Sequence, residues 1–278
     1  MDTLQAVGIA IVQGATELFP VSSLGHAVVV PRLLGWAFDQ AAPEFLPFLV
    51  LLHVGTAVAL LGFFWRDWWA LLLGVLGQSA TREATTEARR LLVLIVIATI
   101  PAVILGGLFE HRLRALFASP VLVAAFLVVN GIMLIVGERA RAMGHRPLTG
   151  LKAGDAIAIG LWQCLALLPG MSRSGATIIG GLVRGVDHEG AAHFSFLIAT
   201  PIILGATVLE VPKLLHASVP PGTLQTASIA AVVAGVTAFL STWFLMRLFR
   251  RNDTWAMTPF GWYCIVFGLG AIAYMRLA

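Results

Sequence analysis

Six long apolar stretches constrain this chain more than any other feature of its sequence. Each approaches or reaches the roughly 20 residues that an α-helix needs to cross the hydrocarbon core of a bilayer. They lie at residues 45 to 64, 91 to 109, 119 to 137, 194 to 211, 226 to 249 and 259 to 276. The sequence therefore predicts an all-α fold, a polytopic membrane helical bundle.

Charged side chains are too scarce to coat a water-exposed surface. The chain is 59% hydrophobic and 12% charged, with a mean hydropathy of +0.91, whereas soluble domains are about 25% charged. This composition excludes a soluble globule, and we expect residues 1 to 278 to form one integral membrane domain. A net charge of +4 on such an apolar chain favours anionic lipid headgroups over nucleic acid as partners.

Two further apolar segments are too short or too interrupted to span. They run from Leu4 to Phe19 and from Ala156 to Leu168. Each is followed by a polar, glycine-containing turn and a second short apolar piece, Ala27 to Phe38 in the first case and Ala176 to Val183 in the second. Segments of this length are typical of re-entrant helices. We therefore predict two helical hairpins, each entering and leaving the membrane by one face.

The hairpins and spans divide the chain into two halves, about residues 1 to 137 and 156 to 276, each with one hairpin and three spans. An odd number of spans predicts that the halves are inverted repeats. Placing the N-terminus outside leaves twelve Lys and Arg residues on the cytoplasmic side and five outside, which favours this orientation. The first hairpin then enters from the outer face and the second from the cytoplasmic face, so their tips can meet near the midplane.

Ionisable residues fall at both predicted tips, namely Glu17 and His26 in the first and Arg173 in the second. Each costs roughly 2.5 to 3.5 kcal/mol within a bilayer, so each needs a partner or a water-filled cavity. We favour one shared functional site. Two alternatives stay open. In one, Glu17 and Arg173 form a buried ion pair that only fixes the hairpins together. In the other, the topology differs and these residues lie in solvated loops. For His53, Asn130 and Glu210 within spans, a packing role is favoured.

The second tip gathers groups that suit an anion. Helix N-termini and glycine turns present N–H groups, and Arg binds phosphate oxygens bidentately. Phosphate is therefore the predicted ligand, and no Walker pattern supports a nucleotide-driven machine. The candidate substrate-binding residues at this tip are Gly170, Ser172, Ser174, Gly175 and Thr177, together with the guanidinium of Arg173.

The first tip supplies the candidate reacting groups. Gln13 and Glu17 are four residues apart and share a helical face, and Glu17 could ligate a divalent cation, Mg²⁺ or Ca²⁺, together with substrate phosphates. We predict Ser23 as the nucleophile, with His26 either deprotonating it or protonating the leaving group. Ser22 and Ser174 are rival nucleophiles, and a satisfied interior role for His26 stays open. Gln13 and Ser22 complete the predicted substrate contacts.

Four segments carry a resemblance to a known family. They are Gln13-Gly-Ala-Thr-Glu17-Leu-Phe-Pro-Val-Ser-Ser-Leu-Gly-His26, Pro169-Gly-Met-Ser-Arg-Ser-Gly-Ala-Thr177, Phe194-Ser-Phe-Leu-Ile-Ala-Thr-Pro201 and Thr258-Pro-Phe-Gly-Trp-Tyr263. Together they resemble the bacterial undecaprenyl-diphosphate phosphatases, also called bacitracin-resistance proteins. The resemblance spans nearly the whole chain, and Gln13 fits the family pattern of Glu or Gln, three residues, then Glu. Leu24 departs from it, because the family commonly has Thr there.

The resemblance implies a membrane hydrolase that removes the terminal phosphate of undecaprenyl diphosphate. Such an enzyme recycles the monophosphate carrier for peptidoglycan synthesis, confers bacitracin resistance and lies in the bacterial inner membrane, with its site expected to open outward. The competing hypothesis is a secondary transporter or flippase of a lipid phosphate, since inverted repeats with broken helices are typical of transporters. A nucleophile at the tips favours hydrolysis. Prenyl chain length, the physiological metal and the oligomeric state, with a homodimer among the options, are not determined by the sequence.

Overall fold

The computed structural model describes residues 3–36, 45–117, 119–141, 146–216, 222–251 and 255–277. Within these ranges the protein is helical, apart from turns and one isolated bridge between Arg146 and Val186. The helices are α1 Thr3–Thr16, α2 Ser23–Leu33, α3 Phe45–Phe63, α4 Trp65–Leu76, α5 Arg82–Phe117, α6 Pro120–Arg139, α7 Ala153–Gln163, α8 Arg173–Val183, α9 His188–His216, α10 Thr223–Arg251 and α11 Thr258–Leu277.

The membrane spans agree with the apolar stretches of the sequence. Five helices, α5, α6, α9, α10 and α11, are long and apolar enough to cross a bilayer. A sixth span results if α3 and α4, which meet at a 75° bend, are taken together. The prediction of an all-α membrane bundle is thus confirmed. Helix α4 was not predicted as a helix. It begins with Trp65, just after the bend, where amphipathic aromatic residues typically lie in the interface.

Both predicted hairpins consist of short helices. In the first, α1 and α2 flank a turn from Glu17 to Ser22, and α2 ends at Leu33, with Phe38 outside the described residues. In the second, α7 continues as a 3₁₀ turn, Cys164–Leu167, before the break that leads to α8. The inverted orientation of the two halves stays a prediction.

Close helix contacts join the halves through glycines. A Cβ atom on Gly14 of α1 would lie 2.3 Å from the carbonyl oxygen of Ala234 in α10. A Cβ atom on Gly160 of α7 would lie 2.6 Å from the carbonyl oxygen of Ala98 in α5. Small residues allow membrane helices to approach this closely. The first helix of each hairpin therefore packs against a span of the opposite half, which directs both hairpin tips into the interior.

A polar layer closes the end of the bundle where α6 ends and where α7, α9 and α11 begin. Buried Glu138 accepts from the backbone N–H groups of Met257 and Thr258 at 2.9 and 2.8 Å, and pairs with His188 at 3.1 Å. Asp155 accepts from Arg184 at 2.8 Å and from Arg146 at 3.2 Å. Burial opposes the charged form of Asp155, but these bonds outweigh it and hold its pKa below the usual range.

Candidate active site

The two hairpin tips touch, as the sequence predicted. The hydroxyl of Ser174 donates to the carbonyl oxygen of Phe19 at 3.1 Å. Asn130 of α6 binds both tips, because its amide nitrogen donates to the Pro20 carbonyl at 2.9 Å and its oxygen accepts from Ser172 N–H at 2.9 Å. Asn130 was expected to serve packing, and this bridge agrees with that expectation. The tips are thus fixed to each other and to a span.

The same cap begins the second helix of each hairpin. The hydroxyl of Ser22 accepts from Gly25 N–H at 3.2 Å, and that of Ser172 accepts from Gly175 N–H at 3.1 Å. Serine favours this position because its oxygen satisfies an N–H that the helix leaves unpaired. The turn before the second cap contains a glycine with a positive φ. In the second turn Gly170 has a φ of 98°, and a Cβ atom there would lie 2.3 Å from the carbonyl oxygen of Val123.

Ser22 carries backbone strain. Its φ is 68° and its ψ is 96°, and among the residues described it is the single non-glycine residue with a positive φ. A residue whose backbone lies in such a sparsely populated φ/ψ region costs about 1 to 3 kcal/mol of stability and persists only where its surroundings enforce it. The strain lies directly before Ser23, the predicted nucleophile. The first tip is therefore held in a conformation that the chain would not choose by itself.

Glu17 is the centre of the site. Its side chain is 6% exposed, and four side chains surround the carboxylate. One oxygen accepts from Arg173 at 3.0 Å. The other accepts from Gln13 at 2.9 Å and from Ser23 at 2.6 Å, and lies 3.4 Å from Nε2 of His53. The structure thus brings together three of the four predicted catalytic residues, Glu17, Ser23 and Arg173, from both halves of the chain.

The side chains of Arg173 and His53 face this carboxylate. The Arg173–Glu17 pair is nearly sealed, with 13% and 6% of the side chains exposed. His53 also places Nδ1 2.7 Å from the carbonyl oxygen of Leu49. Both neighbours of its ring only accept hydrogen bonds, so a protonated imidazole satisfies both. Sequence reasoning favoured packing for His53, although an ionisable residue within a span is already a signal of function.

His26 lies apart from that cluster. Its Nδ1 is 2.7 Å from the Ser22 carbonyl oxygen and its Nε2 is 2.8 Å from the hydroxyl of Tyr263 on α11. Its ring also stacks on Phe267, with centroids 4.8 Å apart and planes at 9°. Both ring nitrogens therefore have partners other than Ser23. Tyr263 was noted only as part of a family segment, and nothing in the sequence alone connects it with His26.

The hydroxyls of the second tip are bonded within the protein. Ser172 and Ser174 are 3.0 Å apart through their oxygens. Thr177 donates to the Arg173 carbonyl at 2.8 Å and lies 2.6 Å from the hydroxyl of Ser195 on α9. These contacts show how the tip is held against α9. Binding of phosphate by Ser172, Ser174, Thr177 and the amides near Gly175 stays a prediction.

The oxygens around Glu17 determine how a cation would fit. Among the described residues there is no group of three or more His, Cys, Asp or Glu side chains arranged to hold a metal ion. However, Oε1 of Gln13 is buried without a hydrogen-bond partner, while its amide nitrogen contacts Glu17. Mg²⁺ is commonly held by one or two carboxylates plus substrate phosphates and water. The unpaired Gln13 oxygen lies on a side chain that contacts Glu17, and binding of a cation by Glu17 together with a phosphorylated substrate stays a prediction.

Comparison with known proteins shows the family to which this chain belongs. Residues 6–270 match the family described as bacitracin resistance protein BacA. The chain belongs to this family. A BacA relative from Granulibacter bethesdensis, named undecaprenyl-diphosphatase, is 60% identical, and the alignment covers 100% of this chain and 98% of that protein. Relatives with the same name from Acidiphilium cryptum and Gluconacetobacter diazotrophicus are 57% and 56% identical, covering 96% and 98% of their own lengths. The BacA match begins within α1 and ends within α11, so it covers most of the described chain.

Proposed function

We propose that this chain is a membrane phosphatase that hydrolyses undecaprenyl diphosphate to undecaprenyl phosphate and inorganic phosphate. The observation that carries the proposal is the contact of 2.6 Å between the Ser23 hydroxyl and a Glu17 oxygen whose partner oxygen binds Arg173 at 3.0 Å. A hydroxyl that donates to a carboxylate has an acceptor for its proton in place. The adjacent guanidinium supplies the charge that a transferring phosphoryl group needs.

The first step transfers the terminal phosphoryl group to Ser23. Its oxygen attacks the terminal phosphorus, its proton passes to Glu17, and the bond from that phosphorus to the bridging oxygen breaks. Undecaprenyl phosphate leaves with the bridging oxygen. Water then attacks the phosphorus of the phosphoserine, and the bond from phosphorus to the Ser23 oxygen breaks. The Ser23 oxygen takes back the proton held by Glu17, and inorganic phosphate leaves with the oxygen and the hydrogens of the water. Arg173 donates from one terminal nitrogen to Glu17 and from the other to the Ser195 carbonyl oxygen at 3.5 Å. A guanidinium has five N–H donors, so the remaining three can bind the phosphoryl oxygens.

A divalent cation, Mg²⁺ or Ca²⁺, forms part of the proposal. Glu17 and Oε1 of Gln13 would hold it together with oxygens of the diphosphate. When bound, the cation would neutralise part of the diphosphate charge. Because Oε1 of Glu17 binds Arg173 and Oε2 binds Ser23, the cation would have to share one of these oxygens with its present partner.

Release of inorganic phosphate tests the function directly. Purified wild-type protein in detergent, given undecaprenyl diphosphate and Mg²⁺ or Ca²⁺, should release phosphate at a rate proportional to enzyme concentration. The same protein in vesicles loaded with the lipid on one leaflet would be assayed for lipid movement. Movement of intact lipid diphosphate without phosphate release would contradict the proposal and support the flippase.

We also propose that the site opens toward the outer face of the bacterial inner membrane, supported by the twelve-to-five distribution of Lys and Arg. Two exposed arginines, Arg32 in the last turn of α2 and Arg82 at the start of α5, give a matched test. In a variant without Cys164 and Cys264, Arg32→Cys should react with an impermeant thiol reagent in intact cells. Arg82→Cys should react only after permeabilisation, and the reverse pattern would invert the orientation. A homodimer, our working hypothesis for the assembly, is testable by the mass of the detergent-solubilised protein.

A further inference from the structure

The carbonyl oxygen of Ser22 makes two contacts with His26. It lies 2.7 Å from Nδ1 of His26 and also accepts from the His26 backbone N–H at 3.2 Å. A carbonyl oxygen can only accept, so Nδ1 carries the hydrogen in this contact. Nε2 then has the lone pair of the neutral ring, and the Tyr263 hydroxyl, 2.8 Å away, is its donor. In a neutral ring the Ser22 carbonyl by itself sets the tautomer of His26, because it can only accept, whereas the Tyr263 hydroxyl adapts to either role.

These two contacts are made to Ser22, the residue whose backbone is strained. Ser22 has a φ of 68°, and the direction of its carbonyl group is set by the rotation that also places Ser23. His26 itself is 3% exposed and stacked on Phe267, so its ring is a rigid support. The Ser23 hydroxyl, by contrast, points to Glu17 at 2.6 Å and not to the imidazole.

We propose that His26 is a positioning residue that holds Ser22 in its left-handed backbone conformation, that Tyr263 fixes the imidazole for this task, and that neither is the acid or base of the reaction. The inference rests on the proposed function, since it concerns how Ser23 is aimed at the phosphorus. It assigns proton transfer from Ser23 to Glu17 and gives Tyr263 a role through its hydroxyl.

Two amides at position 26 separate positioning from acid–base chemistry. Asn places its nitrogen where Nδ1 lies, and can still donate to the Ser22 carbonyl. Gln places its polar atoms nearer Nε2, facing Tyr263, and loses that donor. Neither amide can transfer a proton near neutral pH. We expect His26→Asn to keep kcat within about tenfold of wild type, and His26→Gln and His26→Leu to fall at least tenfold below His26→Asn.

A compensating change at Ser22 provides a second test. Glycine adopts a positive φ without steric cost, and it replaces serine as a helix N-cap with little loss. Adding Ser22→Gly to His26→Leu should therefore recover several-fold of the lost kcat, beyond any effect of Ser22→Gly in the wild-type background. A further loss or no recovery in the double variant would contradict the role of His26 in holding Ser22.

The chain's two tyrosines both lie on α11 and provide a matched control. Tyr263→Phe keeps the aromatic ring but removes the donor to Nε2, and should lower kcat several-fold with KM unchanged. Tyr274→Phe makes the same change eleven residues away and should leave kcat at the wild-type value. Equal activity of the two variants would remove Tyr263 from the proposal.

Each protein would first be checked for a monodisperse detergent-solubilised peak and for its melting temperature. Equally inactive His26→Asn and His26→Gln proteins that are folded, beside an active wild type, would overturn the positioning role and restore His26 as acid or base. A folded wild type that releases no phosphate would instead overturn the proposed function, so the two failures are distinguishable.

Discussion

Two buried carboxylates in this protein differ in the kind of partner they have. Glu17 is 8% exposed and Glu138 is 4% exposed, and each lies beside a histidine. Glu138 accepts from two backbone N–H groups and from the Thr258 hydroxyl at the start of α11, where a helix stabilises negative charge. Glu17 binds side chains of both hairpins, including the guanidinium of Arg173. A buried charge by itself therefore does not mark an active site, because Glu138 is a helix cap, whereas Glu17 joins a serine and an arginine from different halves of the chain.

The largest expected loss of activity comes from removing the hydroxyl of Ser23, the serine that contacts Glu17. Ser23→Ala should reduce kcat by about a thousandfold or more, because no other nucleophile replaces the missing oxygen. Binding of the lipid diphosphate should survive, as measured with a labelled lipid. Ser241→Ala, at another buried serine on α10, is the control and should retain activity. Retention of most activity in Ser23→Ala would move the attack to Ser22, Ser174 or water.

The next largest loss of activity is expected from a change of Glu17 itself. Glu17→Gln should lower kcat about a hundredfold and raise the divalent cation concentration required for half of the remaining activity, because a neutral amide is a poor ligand for a hard cation. The measurement is phosphate release across a titration of Mg²⁺ and of Ca²⁺. Lost activity with an unchanged cation requirement would limit Glu17 to the Ser23 proton and the Arg173 pair.

The guanidinium on the opposite tip should matter through its shape as well as its charge. Arg173→Lys keeps the charge but loses the planar fork, so kcat/KM should fall by more than tenfold, which corresponds to about 1.4 kcal/mol. Arg184→Lys makes the same change at the Asp155 pair and should have little effect on turnover. Near-normal activity of a folded Arg173→Lys protein would exclude bidentate phosphate binding by this residue.

The smallest effect on activity, and a clear effect on stability, is expected at Glu138. Glu138→Gln weakens the cap on α11 and leaves His188 without its charged partner, which should cost about 1 to 3 kcal/mol of stability. The melting temperature in detergent should fall, while kcat of the folded protein stays within a few-fold of wild type. A loss of kcat comparable to that of Glu17→Gln, with unchanged melting, would break the distinction between the two carboxylates.

Sequence reasoning placed the spans and the tip residues correctly, for reasons that are local. A bilayer requires long apolar helices, so each predicted stretch lies within a helix or the bent α3–α4 pair. Likewise, the short segments interrupted by Glu17 and by Pro169 form helices of 14 and 11 residues, each shorter than the roughly 20 residues that a span needs. The contact of Glu17 with Arg173, 156 positions apart, could be predicted because an unpaired charge within the membrane is too costly.

Only the tertiary structure determined which polar side chains contact each other. His26 is three residues from Ser23, yet the packing of α11 turns its ring to Tyr263 and Phe267. His53 is in an apolar helix, yet the packing of α3 brings it to Glu17. The sequence by itself determined where the long apolar helices and the two pairs of short helices lie, because burial costs act on each segment separately. Which side chains touch depends on helix rotation and close glycine contacts, which are properties of the assembled bundle.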